Sequence, residues 1–415
     1  MARITRRKLL IGAAGAAVAA TIHRPAAAQS GRSDMVVVGA GVFGAWTAFK
    51  LQQAGRRVTL VDAWGPAHAR SSSGGESRMT RAVYGPDEVY TRMALQSLPE
   101  WRALSDRAGL PIFAPVGVLF FFGAPHPYAT AAMEMHRRLG LSTRMLDRSE
   151  MARRFGGIDF DGVEFGLFEP DFGVLMARRS VQTLVQEFVR AGGNYVAGQV
   201  APPSGSGERL AEVRTATGER ISSGGDFVFA AGPWLPRLFP DILRGRIRAT
   251  RQEVFFFAAP GGDRRFLPGP MPGWADFNGG ELFYGMPDLE ARGFKIAFDP
   301  HGPEVDPDQG DRAPSAEMLA RVRTYMARRF PALADAPLNE ARICQYENSS
   351  NGDLLIDRHP RWRNVLLVGA GSGHGFKHGP AVGQYAADLL TGSLAAPEPR
   401  FSLASKAEVE ARAVI

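Results

Sequence analysis

The chain has 415 residues, 45% hydrophobic and 22% charged, which is the balance of a globular protein with one large domain or two. Its formal net charge is +7, but Arg3, Arg6, Arg7, Lys8 and Arg24 all lie in the first 28 residues with no acid among them, so the remainder carries only about +2. This gives no case for a nucleic-acid-binding face, and a single cysteine, Cys344, excludes an internal disulfide.

Residues 1–28 read as an export leader. Thr5-Arg6-Arg7-Lys8-Leu9-Leu10 precedes an alanine-rich apolar stretch, Ile11 to Ile22, and Ala26-Ala27-Ala28 offers a small-residue cleavage site. Paired arginines ahead of a mildly hydrophobic segment resemble a twin-arginine signal, a route that exports proteins already folded. The competing reading is a membrane anchor. The segment is short of the roughly 20 apolar residues of a span, so cleavage, a periplasmic destination and no lasting anchor are expected.

The apolar run Met35 to Val38 feeds a G-x-G-x-x-G turn, Gly39, Gly41 and Gly44, which opens a helical pattern ending at Gly55. A second apolar run, Val58 to Val61, ends in Asp62, about 23 residues after Gly39. This is the fingerprint of a dinucleotide-binding β-α-β unit. Gly39 makes the tight turn, Gly41 lets the backbone approach a pyrophosphate, and Gly44 lets helix and strand pack closely. The helix N-terminus faces the phosphates, and Asp62 can accept from a ribose hydroxyl. The motif leaves FAD and NAD both open.

A polar loop, Ala69 to Arg78, follows and runs into Arg81. Arg78 and Arg81 are three apart and would share a face on a helical turn; the alternative is two solvated arginines. Asp87 to Ala108 reads as a helix interrupted by Pro99, Val116 to Phe122 as a buried strand, and Pro125 to Leu139 and Met176 to Ala191 as helices. Tyr195 to Val200 and Asp226 to Ala231 read as strands. From Arg251 the texture changes to short strands between Pro/Gly turns, Arg251–Ala258, Leu282–Gly285 and Phe294–Phe298, the spacing of an antiparallel sheet. Ser315 to Phe330 reads as a helix with Ser315 as its N-cap. Then the first pattern returns: strand Val365 to Val368, a second glycine-rich turn over Gly369–Gly375, and a helix from Gly379 to Leu390.

The fold class is therefore α/β. A Rossmann-like nucleotide-binding domain is assembled from residues 33–112, 175–247 and 351–396. An α+β second domain, an antiparallel sheet with helices, is built from 113–174 and 248–350.

The most specific residues lie late in the chain: Cys344-Gln345-Tyr346, then Ile356-Asp357-Arg358-His359-Pro360, then Gly373-His374-Gly375-Phe376-Lys377. With the N-terminal fingerprint they resemble the D-amino-acid-oxidase superfamily of flavoproteins, within it the monomeric sarcosine oxidase and N-methyltryptophan oxidase branch, over nearly everything after Ser33. The resemblance implies FAD held by Gly39, Gly41, Gly44 and Asp62, with Val200 at the adenine, and by the Gly373–Lys377 loop. It implies a thioether from Cys344 to the flavin, which would account for the lone cysteine. It places Arg78 against the flavin, Arg81 and Lys377 as a clamp on the substrate carboxylate, Lys295 beside flavin N5 where oxygen is reduced, and Tyr284 in the substrate site. It implies a monomer that oxidises a small secondary or N-methylated amino acid with O2 as acceptor.

Two departures stand out. Gly74 and Asp299 occupy positions where the sarcosine oxidases carry histidines, so the pocket's charge is altered and Gly74 would leave room for a larger amine. Phe120-Phe121-Phe122, Phe255-Phe256-Phe257 and Trp274 are read as core for the most part, with an aromatic pocket as the alternative. The rival functions are a dehydrogenase passing electrons to a quinone or cytochrome, and a non-catalytic flavin-binding partner protein.

Overall fold

Two valine-rich runs start the fold. Ser33–Val38 and Val58–Asp62 pair in parallel, Met35 opposite Val58 through Val38 opposite Val61. Continuously apolar strands suit a parallel sheet covered on both faces, and the helix Val42–Gln53 between them packs on one face. The turn demands its glycines. Gly39 sits at φ +104°, and a Cβ there would lie 2.3 Å from the Ala230 carbonyl oxygen; a Cβ on Gly44 would lie 1.8 Å from the Gly39 carbonyl oxygen. The computed structural model describes residues 33–278 and 281–408. The leader and its cleavage site lie outside them.

The first sheet runs Leu355–Arg358, Val365–Gly369, Arg220–Phe229, Ser33–Val38, Val58–Asp62, Asn194–Ala197, with Glu212–Arg214 paired on Arg220–Phe229. It is parallel apart from that strand and the Leu355–Arg358 edge. Early, middle and late segments thus share one sheet. Helices Glu88–Ala108, Ala177–Arg190 and Gly379–Thr391 pack with Val42–Gln53 over it. The helix Glu88–Ala108 is not interrupted by Pro99, which sits inside it. Pro99 lies on the exposed face, while Ser97, Leu98 and Trp101 bury the other, so packing outweighs one missing N–H. No helix among the described residues is long and apolar enough to cross a membrane.

The second sheet has eight strands, Leu338–Ser349, Ile247–Phe257, Phe294–Phe298, Phe283–Met286, Gly273–Asp276, Val118–Phe122, Phe165–Glu169 and Arg144–Asp147. It is antiparallel except where Gly273–Asp276 meets Val118–Phe122. Side chains alternate between its faces. Phe121, Phe255, Phe257, Trp274, Phe283, Phe294 and Ile296 pack against the helix Ala316–Arg329, which Ser315 caps by accepting from the Met318 N–H. The other face carries Phe120, Ala275 and Tyr284 in one cluster, and Val254, Phe256, Ala297 and Cys344 in another. The phenylalanine triplets are therefore split by strand alternation: most of their members are core, and Phe256 sits beside Cys344.

A small third sheet, Arg78–Thr80 with Gly173–Leu175 and Phe113–Ala114, joins these parts. It corrects the expectation of a helical turn at Arg78–Arg81. Arg78, Met79 and Thr80 pair antiparallel with Leu175, Val174 and Gly173. The two arginines consequently go to different surroundings.

Candidate active site

A cleft of about 480 Å³ opens where the first sheet's glycine turn meets the inner face of the second sheet. It is lined at one end by Val38, Gly39, Gly41, Val42 and Asp62, beside these by Val200, and at the other end by Arg78, Cys344, Tyr346, Gly373, Gly375 and Phe376. The helix Val42–Gln53 begins in this cleft with no side-chain cap from Gly41, so its N-terminus presents N–H groups and the positive dipole end to the cleft, an arrangement that suits an anion. Ser73 takes the Val42 N–H at 3.0 Å. Asp62 fastens the turn with one oxygen on the Ala40 N–H at 2.7 Å and the other on the Trp64 and Gly65 N–H groups at 2.9 and 2.8 Å. Carboxylate oxygens accept more than one bond, which keeps capacity for a ribose hydroxyl.

At the far end the second sheet supplies the chemistry. Gln252 stands opposite Cys344 and Phe256 opposite Lys295 in the ladders, so Cys344 and Lys295 emerge on one face. Phe294 and Ile296 point the other way into the core, which is why a lysine interrupts that apolar strand. The Arg78 guanidinium donates to the Ser72 and Ser77 carbonyls at 2.6 and 2.8 Å and reaches the Cys344 sulfur at 3.2 Å. Lys295 is 2% exposed and donates to the Ser77 carbonyl at 2.7 Å. Burial, aided by the Arg78 charge, drives its pKa well below the usual lysine value. A small cavity of about 20 Å³ borders Lys295, Arg78 and Cys344 and is floored by Gly74 and Gly75, room for about one water-sized molecule.

Arg81 and Lys377 come together through Tyr84. The Arg81 guanidinium lies 4.2 Å over the Tyr84 ring and donates to the Val83 carbonyl. Lys377 donates to the Tyr84 hydroxyl at 2.8 Å and to the His374 carbonyl at 2.7 Å. Burial and the Arg81 charge hold the Lys377 pKa well below its usual value. Glu169, 1% exposed, accepts from the Ala82 N–H at 2.9 Å, and burial pushes its pKa to about 8. On the sheet side, the Tyr284 and Tyr346 hydroxyls bond each other, and Tyr346 also donates to Asp299 at 3.1 Å. Burial raises the Tyr284 pKa to about 12 and raises that of Asp299. Asp299 interacts electrostatically with both Arg81 and Lys377.

The donor set fits FAD. Buried Ser72 Oγ, Gln345 Oε1 and Glu347 Oε1, on residues lining the cleft, have no hydrogen-bond partner, and a Cβ on Gly41 would have nothing nearer than Ser73 Oγ at 3.5 Å, so the backbone is open to a close approach. The FAD dependent oxidoreductase (DAO) family model matches residues 34–389. The chain belongs to the DAO family of FAD-dependent oxidoreductases. It is 31% identical over 372 residues to the monomeric sarcosine oxidase of Streptomyces avermitilis, covering 88% of this chain and 95% of that one. It is 28% identical over 377 residues to the N-methyl-L-tryptophan oxidase of Citrobacter koseri, covering 89% and 96%. Among solved structures it shares its fold with the L-proline dehydrogenase from P. horikoshii, at TM-score 0.79 and 20% identity over 90% of this chain and 97% of that one.

In this DAO-family enzyme, Gly39, Gly41, Asp62, Val200, Arg78, Cys344, Gly373, Gly375 and Phe376 all line one cleft. Gly44 lies behind the turn as a packing glycine, and His374 belongs to the Tyr84 network. The role foreseen for Gly74 is corrected. A Cβ there would lie 2.1 Å from the His68 carbonyl oxygen, so glycine is required by a close backbone approach rather than by room for a substrate. Tyr84, Glu169 and His378 were not foreseen. Tyr84 stands three residues after Arg81, the one signal that could have found it.

Proposed function

We propose that this FAD-dependent oxidoreductase is an amine oxidase acting on a secondary or N-methylated amino acid, with O2 as its electron acceptor. The observation that carries the reading is the Arg81–Tyr84–Lys377 constellation facing Asp299. An arginine fork and a lysine beside it bind a carboxylate. A carboxylate arriving beside Lys377 offsets its desolvation and favours the ammonium form. Asp299, held by Tyr346, stands ready to accept a hydrogen bond from the amine. Arg81 and Lys377 lower the pKa of that amine and so favour the neutral form, which alone can give up hydride. FAD held in the cleft would supply the two-electron acceptor for hydride leaving the carbon of the C–N bond, and the imine so formed would be hydrolysed by water. Lys295, which shares the Ser77 carbonyl with Arg78, would in its ammonium form place a buried positive charge that favours electron transfer to O2, which takes two electrons and two protons to become H2O2.

Two further features belong to the proposal. Cys344, with its sulfur 3.2 Å from the Arg78 guanidinium and lining the cleft, is the residue that would carry a thioether link to the flavin. The twin-arginine leader directs the monomer, with its cofactor loaded, to the periplasm. N-methylated amino acids supplied to the purified protein should produce peroxide stoichiometric with oxygen uptake. Turnover with an artificial dye but without oxygen consumption would replace O2 by another acceptor, and no bleaching of the flavin by any amine would defeat the enzyme reading. Acid precipitation should leave the yellow colour in the pellet and a mass heavier by one FAD; colour in the supernatant would rule out the Cys344 link.

A further inference from the structure

Tyr84 is the common contact of both cations in the proposed clamp. Its ring carries the Arg81 guanidinium at 4.2 Å, and its hydroxyl lies 2.8 Å from Lys377 Nζ. The same hydroxyl lies 2.7 Å from His378 Nε2 and 3.2 Å from His374 Nδ1. A tyrosine hydroxyl offers one proton and two lone pairs, so three partners fill it, and the rest of the network fixes which does what. His374 Nε2 lies 3.1 Å from the Gly352 carbonyl, which only accepts, so Nε2 carries a proton, and in the neutral ring Nδ1 is bare. Tyr84 therefore donates to His374. Lys377 donates to Tyr84, and so does His378 through Nε2–H. This leaves His378 Nδ1 bare, in agreement with its having no partner. Burial, together with the Lys377 charge, holds the His378 pKa well below the usual imidazole value, which keeps that tautomer neutral.

We infer that Tyr84 is a positioning residue, held by His374 and His378, that sets Arg81 and Lys377 at a common carboxylate-binding site and keeps an acceptor on the Lys377 ammonium. The inference rests on the carboxylate-clamp reading above. Beside Tyr84, the groups acting on Lys377 are Arg81, Asp299 and Glu169. These stay in place in the two Tyr84 variants below.

The test is titration of the flavin-loaded enzyme with acetate and with acetamide, read as the visible difference spectrum, between pH 6 and 10. Tyr84→Phe keeps the ring under Arg81 and loses the hydroxyl. It should weaken acetate binding about 10-fold, leave acetamide unchanged, and move the alkaline loss of acetate affinity to lower pH, because an ammonium left with the His374 carbonyl as its remaining acceptor loses its proton sooner. Tyr84→Leu removes the ring as well and should weaken acetate further. Arg81→Gln separates the two layers of argument. If Arg81→Gln binds acetate like the parent, the clamp reading itself falls. If Arg81→Gln is weakened while Tyr84→Phe matches the parent in affinity and pH profile, the clamp stands and the role of Tyr84 is overturned. Should Tyr84→Leu fail to fold, Tyr84→Phe decides alone.

Discussion

Replacing Glu169 by glutamine should stabilise the protein at neutral pH. Glu169 is fully buried on the Phe165–Glu169 strand, with one oxygen on the Ala82 N–H and the other, Oε2, without a partner. Burial raises its pKa from 4.5 to about 8, so at pH 7 the folded protein holds a proton that the unfolded chain has released. The native state binds more protons than the unfolded state across this window, so stability is fully present below pH 4.5 and is lost as pH rises through 8. The slope is about 1.4 kcal/mol per pH unit, and from 4.5 to 7 the loss reaches roughly 3 kcal/mol. Glutamine has the same shape, keeps an acceptor for Ala82 and never ionises. Glu169→Gln should therefore raise the urea midpoint at pH 7 by the equivalent of about 2–3 kcal/mol, allowing for imperfect repacking, and flatten the profile between pH 5 and 8. The assay is a set of urea unfolding curves at pH 5, 6, 7, 8 and 9 on both proteins. Parallel profiles, with no gain for the variant at pH 7, would refute the burial argument. The substitution should also remove any rise of KM above pH 8, where an ionised Glu169 would offset the charge of nearby Arg81.

Three other substitutions probe separate parts of the site. Lys295→Met should slow reoxidation of the reduced flavin by O2 about 10²–10³-fold and change anaerobic reduction by substrate only a few-fold; rapid mixing of each half-reaction separates the two, and equal effects on both would remove Lys295 from the oxygen step. Asp299→Asn removes the carboxylate that would stabilise a protonated amine, so the acid limb of anaerobic flavin reduction should move to lower pH by about one unit, and an unmoved limb would separate Asp299 from the amine. Gly44→Ala forces a Cβ to within 1.8 Å of the Gly39 carbonyl oxygen; it should cost at least about 3 kcal/mol and lower flavin content, and normal loading with an unchanged melting temperature would mean the turn is less constrained than its geometry requires.

What was legible in the chain, and what was not, follows from the range of the forces involved. The Gly39–Asp62 unit could be read because strand, turn, helix and acid are neighbours in sequence and each has its own local signal. Ser315 as an N-cap was legible for the same reason. Lys295 could be read as a break in an apolar strand, but its direction depends on pairing with Phe256, and Cys344 shares that face only because its partner Gln252 lies four residues before Phe256 on the strand Ile247–Phe257 common to the two ladders. The Arg78–Arg81 spacing suited a helical turn, and partners nearly one hundred residues away, Gly173 to Leu175, made it a strand instead. Pro99 looked like a break because the sequence does not say which face of the helix is exposed. Beyond the spacing of Tyr84 from Arg81, the Tyr84 network left no signal in the sequence. Tyr84 has ordinary neighbours, His378 follows a motif without belonging to it, and the two meet across 294 positions. Only the closure of the early and late segments onto one sheet brings them within 2.7 Å. The sequence could supply the charges of the proposed clamp, but the neutral groups that orient those charges became visible only once the whole chain was folded.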